Sequence, residues 1–145
     1  MPASIPVEVA DVTRAWLEEV LRVHAPGASL RAVEVVEAHS GTTGRARVVL
    51  THDDERLPPS VFVKLAPFDP EQRAFVEQQG MGVFEARFYA EVAAQVPVRI
   101  PRPWYAAHAD GRYVMVLEDL AAAGVRYPGQ RAPDLADFVT RTIDA

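Results

Sequence analysis

The 145-residue sequence contains no cysteine, which excludes disulfide bonds, zinc–thiolate sites and thiol-based catalysis. No apolar run approaches the ~18 residues that a membrane-spanning helix needs, and the first residues do not form a signal peptide. The net charge is −5, and there is no basic cluster that would attract nucleic acid. These absences predict a cytoplasmic, soluble protein that binds neither membrane nor nucleic acid.

What the chain does contain is the composition of a folded globular protein. Hydrophobic residues make up 49% and charged residues 24%, which is a typical balance. The length suffices for one domain with its own apolar core. The four histidines do not have the spacing of metal ligands.

Hydrophobic periodicity divides the first half of the chain into one helix and three strands. Residues 11–23 form an amphipathic helix, and we expect Asp11 to cap it. Residues 30–38 and 45–52 alternate like strands around the glycine-containing turn HSGTTG, which predicts a β-hairpin. The stretch SVFVKLAPF, residues 60–68, follows as a third strand.

Helical signals follow, and then strands return. The segment 69–80 reads as a helix, and 81–96 reads as a second, longer one. Residues 101–120 form two strands joined by a turn at Asp110 and Gly111. The predicted fold is α+β: a twisted antiparallel sheet of about five strands, with helix 81–96 packed on one face of the sheet and helix 11–23 packed against the same domain. Helix 69–80 has a cap, a first-turn proline and a stop glycine: Asp69, Pro70 and Gly80.

Lys64 is the unusual residue of the third strand. Its apolar neighbours indicate a half-buried pleated surface, where an unpartnered ammonium group would cost several kcal/mol. Glu85, in helix 81–96, is also a charged residue in an apolar setting and also needs a partner. At ~100° per residue it falls in the middle of an apolar face made of Phe88, Tyr89, Val92 and Val96. The simplest solution is that Lys64 and Glu85 pair with each other.

The order of these features resembles the N-terminal lobe of the protein-kinase-like phosphotransferases. It consists of a glycine-containing hairpin loop, a strand lysine, a helix glutamate and a strand that ends in MVLEDL. The closest similarity is to small-molecule kinases of the aminoglycoside phosphotransferase, choline kinase and ecdysteroid-kinase-like group. VFVKL is similar to their lysine strand, FEARFYAEV to their glutamate helix, and YVMVLEDL to the strand that enters the hinge between lobes.

The resemblance implies a role for each matching residue. Lys64 would contact the α- and β-phosphates of ATP, and Glu85 would hold the lysine in place. The backbone of Glu118, Asp119 and Leu120 would hydrogen-bond the adenine edge. Backbone N–H groups of the hairpin loop would cover the phosphates, and its two glycines would permit the close approach. The loop residues are Ser40, Gly41, Thr42, Thr43 and Gly44.

Some functional residues of the family have no counterpart in this sequence. In this family the catalytic aspartate, its neighbouring asparagine and the aspartate that binds Mg²⁺ lie in a C-terminal lobe. Residues 1–120 are therefore interpreted as the nucleotide-binding lobe. Residues 121–145 are interpreted as the hinge linker and first helix of an otherwise absent C-terminal lobe. That helix has an apolar stripe of Leu135, Phe138, Val139 and Ile143.

The expected function is nucleotide binding for phosphoryl transfer from ATP to a hydroxyl group of a small molecule. No catalytic and no metal-binding residue is expected in this chain, which by itself would be inactive. A small hydroxylated substrate would bind only where a C-terminal lobe is present. The uncovered lobe interface would favour self-association.

Alternatives stay open from the sequence alone. Lys64 could extend into solvent from an edge strand, with its stem on Phe62, and Glu85 could pair with Arg73 or Arg87. HSGTTG could be a plain hairpin loop, since SGTTGR matches neither G-x-G-x-x-G nor a P-loop. The protein could also be a non-catalytic nucleotide- or partner-binding module, or an unrelated α+β ligand-binding domain.

Overall fold

The sheet combines two β-hairpins with one central strand. The computed structural model describes residues 3–127 and 133–143. Every neighbouring pair of strands is antiparallel, and the order across the sheet is β1-β2-β3-β5-β4. The predicted α+β fold with a five-stranded antiparallel sheet is confirmed. The strands are β1 (Ala32–Ser40), β2 (Gly44–Thr51), β3 (Ser60–Leu65), β4 (Pro103–Ala109) and β5 (Arg112–Glu118).

Among the described residues, four α-helices accompany the sheet. They are α1 (Arg14–Leu21), α2 (Pro70–Gln79), α3 (Met81–Arg87) and α4 (Leu135–Ile143). None of these described helices has both the length and the apolar character needed to cross a bilayer. Residues 128–132 of the predicted linker, and the Ile143 side chain of the predicted apolar stripe, lie outside the described part of the chain.

Several local signals act as the sequence predicts. The Asp69 carboxylate accepts a hydrogen bond from the Gln72 N–H at 2.9 Å, which caps α2. Gly80 ends α2 in the left-handed conformation, with φ of 66°. The turn between β4 and β5 places Asp110 and Gly111 at φ of 51° and 80°. Positive φ at both central residues matches the twist of a two-residue hairpin.

The predicted cap of the first helix is wrong. Thr13 is the N-cap of α1, and its hydroxyl accepts a hydrogen bond from the Trp16 N–H at 3.2 Å. Asp11 instead ends a short 3₁₀ turn that precedes α1, and its carboxylate accepts hydrogen bonds from the Val7 and Glu8 N–H groups, each at 2.9 Å. The acidic side chain therefore closes the turn before α1, and the helix begins two residues later than a cap at Asp11 implies.

The two faces of the sheet have separate apolar cores. Successive side chains of a strand point to opposite faces, so β5 contributes Val114 and Val116 to one core and Met115 to the other. The first core also holds the buried stripe of α1: Trp16, Leu17, Val20 and Leu21. The second core includes Val76 of α2 and residues of α3, so both of these helices lie on the face opposite α1.

Helix α3 approaches the sheet closely because its buried residues are small. They are Gly82 and Ala86. Ala93, in the 3₁₀ turn Ala93–Gln95 further along the chain, is also buried, whereas Val92, expected on the apolar face, is 44% exposed. The expected face is wrong in this respect because α3 continues into a π-helical segment, Phe88–Val92. The wider turn shifts the residues that follow it. Glu85 comes before this segment, next to the buried Ala86, and its side chain is 36% exposed.

We expect Gly82→Ala to destabilise the protein. A Cβ added at Gly82 would lie 2.0 Å from the Tyr113 ring, and overpacking of this kind costs about 1–3 kcal/mol. The higher helix propensity of alanine offsets up to about 1 kcal/mol of that. Urea unfolding should show a lower midpoint with an unchanged slope. Gly41→Ala is the matched control, because nothing lies within 4 Å of its added Cβ. An unchanged midpoint for Gly82→Ala would contradict this packing.

Candidate functional site

A cleft of about 510 Å³ opens on the α3 face of the sheet, where β2, β3 and β5 meet the π-helical end of α3. Its volume lies in the range of small-molecule sites. Five residues assigned to the site from the sequence line it: Lys64, Glu85, Glu118, Asp119 and Leu120. The other lining residues are Glu37, Arg47, Phe62, Tyr89, Pro101, Leu117, Ala121 and Tyr127.

Lys64 and Glu85 form an ion pair at the inner wall of this cleft. The Lys64 Nζ donates a hydrogen bond to the Glu85 Oε1, and the two side chains are 18% and 36% exposed. The predicted pairing is confirmed. Of the alternative partners considered for Glu85, Arg87 pairs with Glu91 at 2.9 Å, and Arg73 donates to backbone carbonyls at the start of α2.

The position of β3 explains how a lysine fits in this strand. β3 is central, between β2 and β5, so the edge-strand interpretation of Lys64 is wrong. One set of alternate β3 side chains points into the core on the α1 face: Val61, Val63 and Leu65. The other set, Phe62 and Lys64, points to the face that carries the cleft. The ammonium group therefore reaches Glu85, stays partly exposed to solvent and does not enter the core on the α1 face.

Lys64 is also the only lysine in the chain. The 15 positively charged residues of the sequence comprise this lysine and fourteen arginines. Arginine and lysine differ in geometry: the guanidinium is a planar fork, whereas the ammonium is a compact charge with three rotatable donors. The single compact cation thus lies on the central strand, at the cleft.

A second ion pair, which sequence reasoning missed, joins β2 to the segment after β5. The Arg47 Nε donates to the Asp119 Oδ2 at 2.6 Å, and the Ser60 Oγ donates to the same oxygen at 2.6 Å. The other carboxylate oxygen, Oδ1, accepts from the backbone N–H groups of Ala121 and Ala122 at 3.2 and 3.3 Å. The alternation of RARVV marks Arg45 and Arg47 as facing one side, but only the strand register shows that this is the side of Lys64.

The Asp119 carboxylate is almost fully buried, with 4% of its side chain exposed. Burial raises the pKa of this carboxyl, but the hydrogen bonds from Ser60, Arg47 and Ala122 outweigh burial and hold the pKa below its usual value. Both of its oxygens have donors, so the side chain serves to fix the segment after β5. The side chain therefore has little capacity for a ligand, and the predicted contact of Asp119 with adenine would be made by its backbone.

The segment after β5 leaves a backbone donor unused where it lines the cleft, at Leu120. The Glu118 N–H donates to the Arg102 carbonyl at 2.8 Å, and the Leu120 carbonyl accepts from the Val125 N–H at 2.9 Å. Within residues 3–127 and 133–143, the Leu120 N–H has no hydrogen-bond partner. The Glu118 carboxylate accepts from Arg99 and from the Arg102 N–H. The Arg102 hydrogen bond is the largest cause of its lowered pKa.

The predicted phosphate-covering loop, residues 40–44, is not among the lining residues of the cleft. The Ser40 Oγ accepts a hydrogen bond from the Phe68 N–H at 2.9 Å, and the Gly41 N–H donates to the Thr43 carbonyl at 3.1 Å. Both groups are thus occupied by partners within the chain. The contact of this loop with phosphates stays a prediction.

Gly44 has a packing role of its own at the start of β2. A Cβ added there would lie 2.4 Å from the Ala66 carbonyl oxygen and 2.6 Å from the Phe68 ring. Close backbone approach therefore requires glycine at this position whether or not a ligand binds. Gly41 has no such neighbour within 4 Å.

Comparisons with protein-family models, with curated proteins and with solved structures each find no match for this chain. In the described part of the chain, no three or more acidic or histidine side chains are grouped so that they could hold a metal ion.

We expect the Lys64–Glu85 pair to show energetic coupling in a double-mutant cycle. Removal of Lys64 leaves Glu85 about one-third exposed, so Lys64→Met should destabilise by about 1–2 kcal/mol, between the values for exposed and buried pairs. Glu85→Gln should behave similarly, and the double variant should lose less than the sum. The exposed pair of Arg87 and Glu91 is the control, with an expected coupling of about 0.3–0.5 kcal/mol. Additive effects of the Lys64 and Glu85 variants in urea unfolding would contradict the pairing.

We expect Asp119→Asn to change both stability and its pH dependence. Loss of charge-assisted hydrogen bonds should destabilise by about 1–3 kcal/mol near neutral pH. Because the pKa of Asp119 is lowered on folding, its contribution is present above the unfolded pKa of ~3.9 and is lost as pH falls through the folded pKa.

The stability difference between wild type and Asp119→Asn should therefore shrink below about pH 4. Urea unfolding at neutral and acidic pH measures it. Asp53→Asn is the control, since that side chain is 79% exposed and should contribute little. A difference that persists unchanged at the lowest accessible pH would show that the Asp119 pKa is not lowered.

Proposed function

We propose that the cleft binds ATP and that the chain acts as the nucleotide-binding lobe of a kinase-like small-molecule phosphotransferase. The observation that carries the proposal is the Lys64–Glu85 ion pair at the inner wall of a ligand-sized cleft. Such a strand lysine, held by a helix glutamate, orients nucleotide phosphates in the enzymes that the sequence resembles. The fold supports the proposal, because the pair joins the central strand of an antiparallel sheet to the helix packed on it.

The apolar part of the cleft suits a purine base. Phe62, Tyr89 and Leu117 line it, and an aromatic or aliphatic surface stacks well on a flat ring. Leu120, whose N–H has no partner in the described residues, also lines the cleft. We assign this N–H as the donor to a ring nitrogen of adenine.

The charged part of the cleft suits phosphate. An ammonium group has three N–H donors, and the Lys64 Nζ uses one of them for Glu85. The remaining donors are free to bind oxygens of the α- and β-phosphates. Glu85 fixes the direction of the ammonium and lessens its cost of partial burial.

Phosphoryl transfer to a hydroxyl group also requires a carboxylate that positions the acceptor and ligands for Mg²⁺. In the enzymes that the sequence resembles, these groups belong to a C-terminal lobe. Lys64 and Glu85 are assigned the orientation of the nucleotide only. The acceptor is proposed to be a small hydroxylated molecule, as the resemblance implies.

The single lysine allows a direct test of ATP binding. Acylation with an amine-reactive reagent can modify only Lys64 and the α-amino group, because the chain has no other lysine. Peptide mapping by mass spectrometry separates the two sites. We expect Mg-ATP to decrease acylation of Lys64 several-fold and to leave the α-amino group unchanged, so the second site is an internal control.

Calorimetric titration with Mg-ATP provides the second measurement. Lys64→Met should weaken ATP binding about tenfold, which corresponds to ~1.4 kcal/mol. Arg31→Gln, which removes an exposed ion pair with Asp53 just before β1, should leave ATP binding unchanged. Equal acylation of Lys64 with and without Mg-ATP, together with no heat of binding, would refute the proposed function.

A further inference from the structure

Arg45 lies directly beside the proposed phosphate site. In the β2–β3 register its Cα partner is Lys64, and in the β1–β2 register its partner is His39. Directly opposed residues of antiparallel strands project from the same face of the sheet. Arg45 therefore projects from the face that carries Lys64 and the cleft.

A groove of about 220 Å³ continues the cleft toward Arg45. Three residues, Glu37, Arg47 and Phe62, line both the cleft and this groove. The groove adds Arg45 and His39 to its walls. A ligand that lies along β2 and β3 can thus extend from the cleft into the groove.

The charges around the groove leave Arg45 without a partner. Lys64 is paired with Glu85, and Arg47 is paired with Asp119. Glu37, the acidic residue that lines the groove, accepts a hydrogen bond from His39 at 2.7 Å. In the described part of the chain, the Arg45 guanidinium makes no hydrogen bond or ion pair.

This arrangement favours an anion between β2 and β3. Like charges directly opposite each other on neighbouring strands destabilise a sheet, and Arg45 and Lys64 are such a pair. An anion bound by both would remove the repulsion. The planar fork of a guanidinium matches two phosphate oxygens at once, so phosphate is the anion chemistry that the pair fits best.

We propose that Arg45 binds the terminal phosphate of a nucleoside triphosphate whose inner phosphates lie at Lys64, and that it makes the site selective for triphosphates. The assignment rests on the proposed function, and it adds a specificity-determining residue outside the cleft proper. Selectivity follows because only a chain of three phosphates extends beyond Lys64 into the groove. A monophosphate leaves Arg45 unused.

The test compares Arg45→Gln with wild type by calorimetry, using ATP, AMP and inorganic tripolyphosphate as probes. Arg112→Gln is the matched control, because Arg112 is also an exposed strand arginine without an ion pair in the described residues, but it lies at the far hairpin. Both variants change the net charge equally. We expect Arg45→Gln to weaken binding of ATP and tripolyphosphate about fivefold to tenfold, to leave AMP unchanged, and Arg112→Gln to change none of them.

Each outcome separates this assignment from the proposed function. If ATP binds wild type and Arg45→Gln equally well, the Arg45 assignment is overturned and the proposed function stands. If tripolyphosphate binds in an Arg45-dependent manner but ATP and AMP do not bind, Arg45 belongs to a polyphosphate site and the nucleotide function fails. Equal weakening of AMP and ATP would show a general electrostatic effect and overturn triphosphate selectivity. Absence of binding by all three probes would refute both.

Discussion

The pairing of one strand cation with one helix carboxylate is the constraint on which the site depends. Lys64 lies on the central strand, so its ammonium group needs a partner delivered from another element. Helix α3 supplies Glu85, and it can do so only because Gly82 lets the helix lie against the Tyr113 ring. The cleft opens beyond Glu85, where the helix widens into its π-helical segment. Helix packing and site geometry therefore have a common cause.

The ion pairs of Lys64 with Glu85 and of Arg47 with Asp119 differ in the hydrogen-bonding capacity that they leave for a ligand. Both oxygens of the Asp119 carboxylate already accept hydrogen bonds from the chain, and its side chain is buried. That pair fixes the segment after β5 and has little capacity for a ligand. Lys64 has two unused donors at a wall that solvent reaches. Under the proposed function, the first pair shapes the cleft and the second one contacts its occupant.

The sequence was sufficient where local chemistry determines structure. Asp69, Gly80 and the turn at Asp110 and Gly111 are short-range signals, and they act as predicted. Pairing of Lys64 with Glu85 was also predictable, because a charge on an apolar face demands a partner. The buried face of the helix was not predictable, because the sequence pattern indicates a regular helix through residue 96, whereas the chain forms a π-helical segment at Phe88–Val92. Arg47 was missed because its partner, Asp119, lies 72 residues away and only the strand order brings them together.

The identity of the single lysine has a physical reason in this geometry. A guanidinium at position 64 would engage a carboxylate through its planar fork, with two parallel hydrogen bonds in a fixed plane. An ammonium makes one hydrogen bond to Glu85 and directs its other donors elsewhere. The neighbouring strand cations, Arg45 and Arg47, are both arginine, so the lysine is not explained by a general need for positive charge. A residue that must be held by one partner while binding another is better served by lysine, which is the property that the proposed function requires at this position.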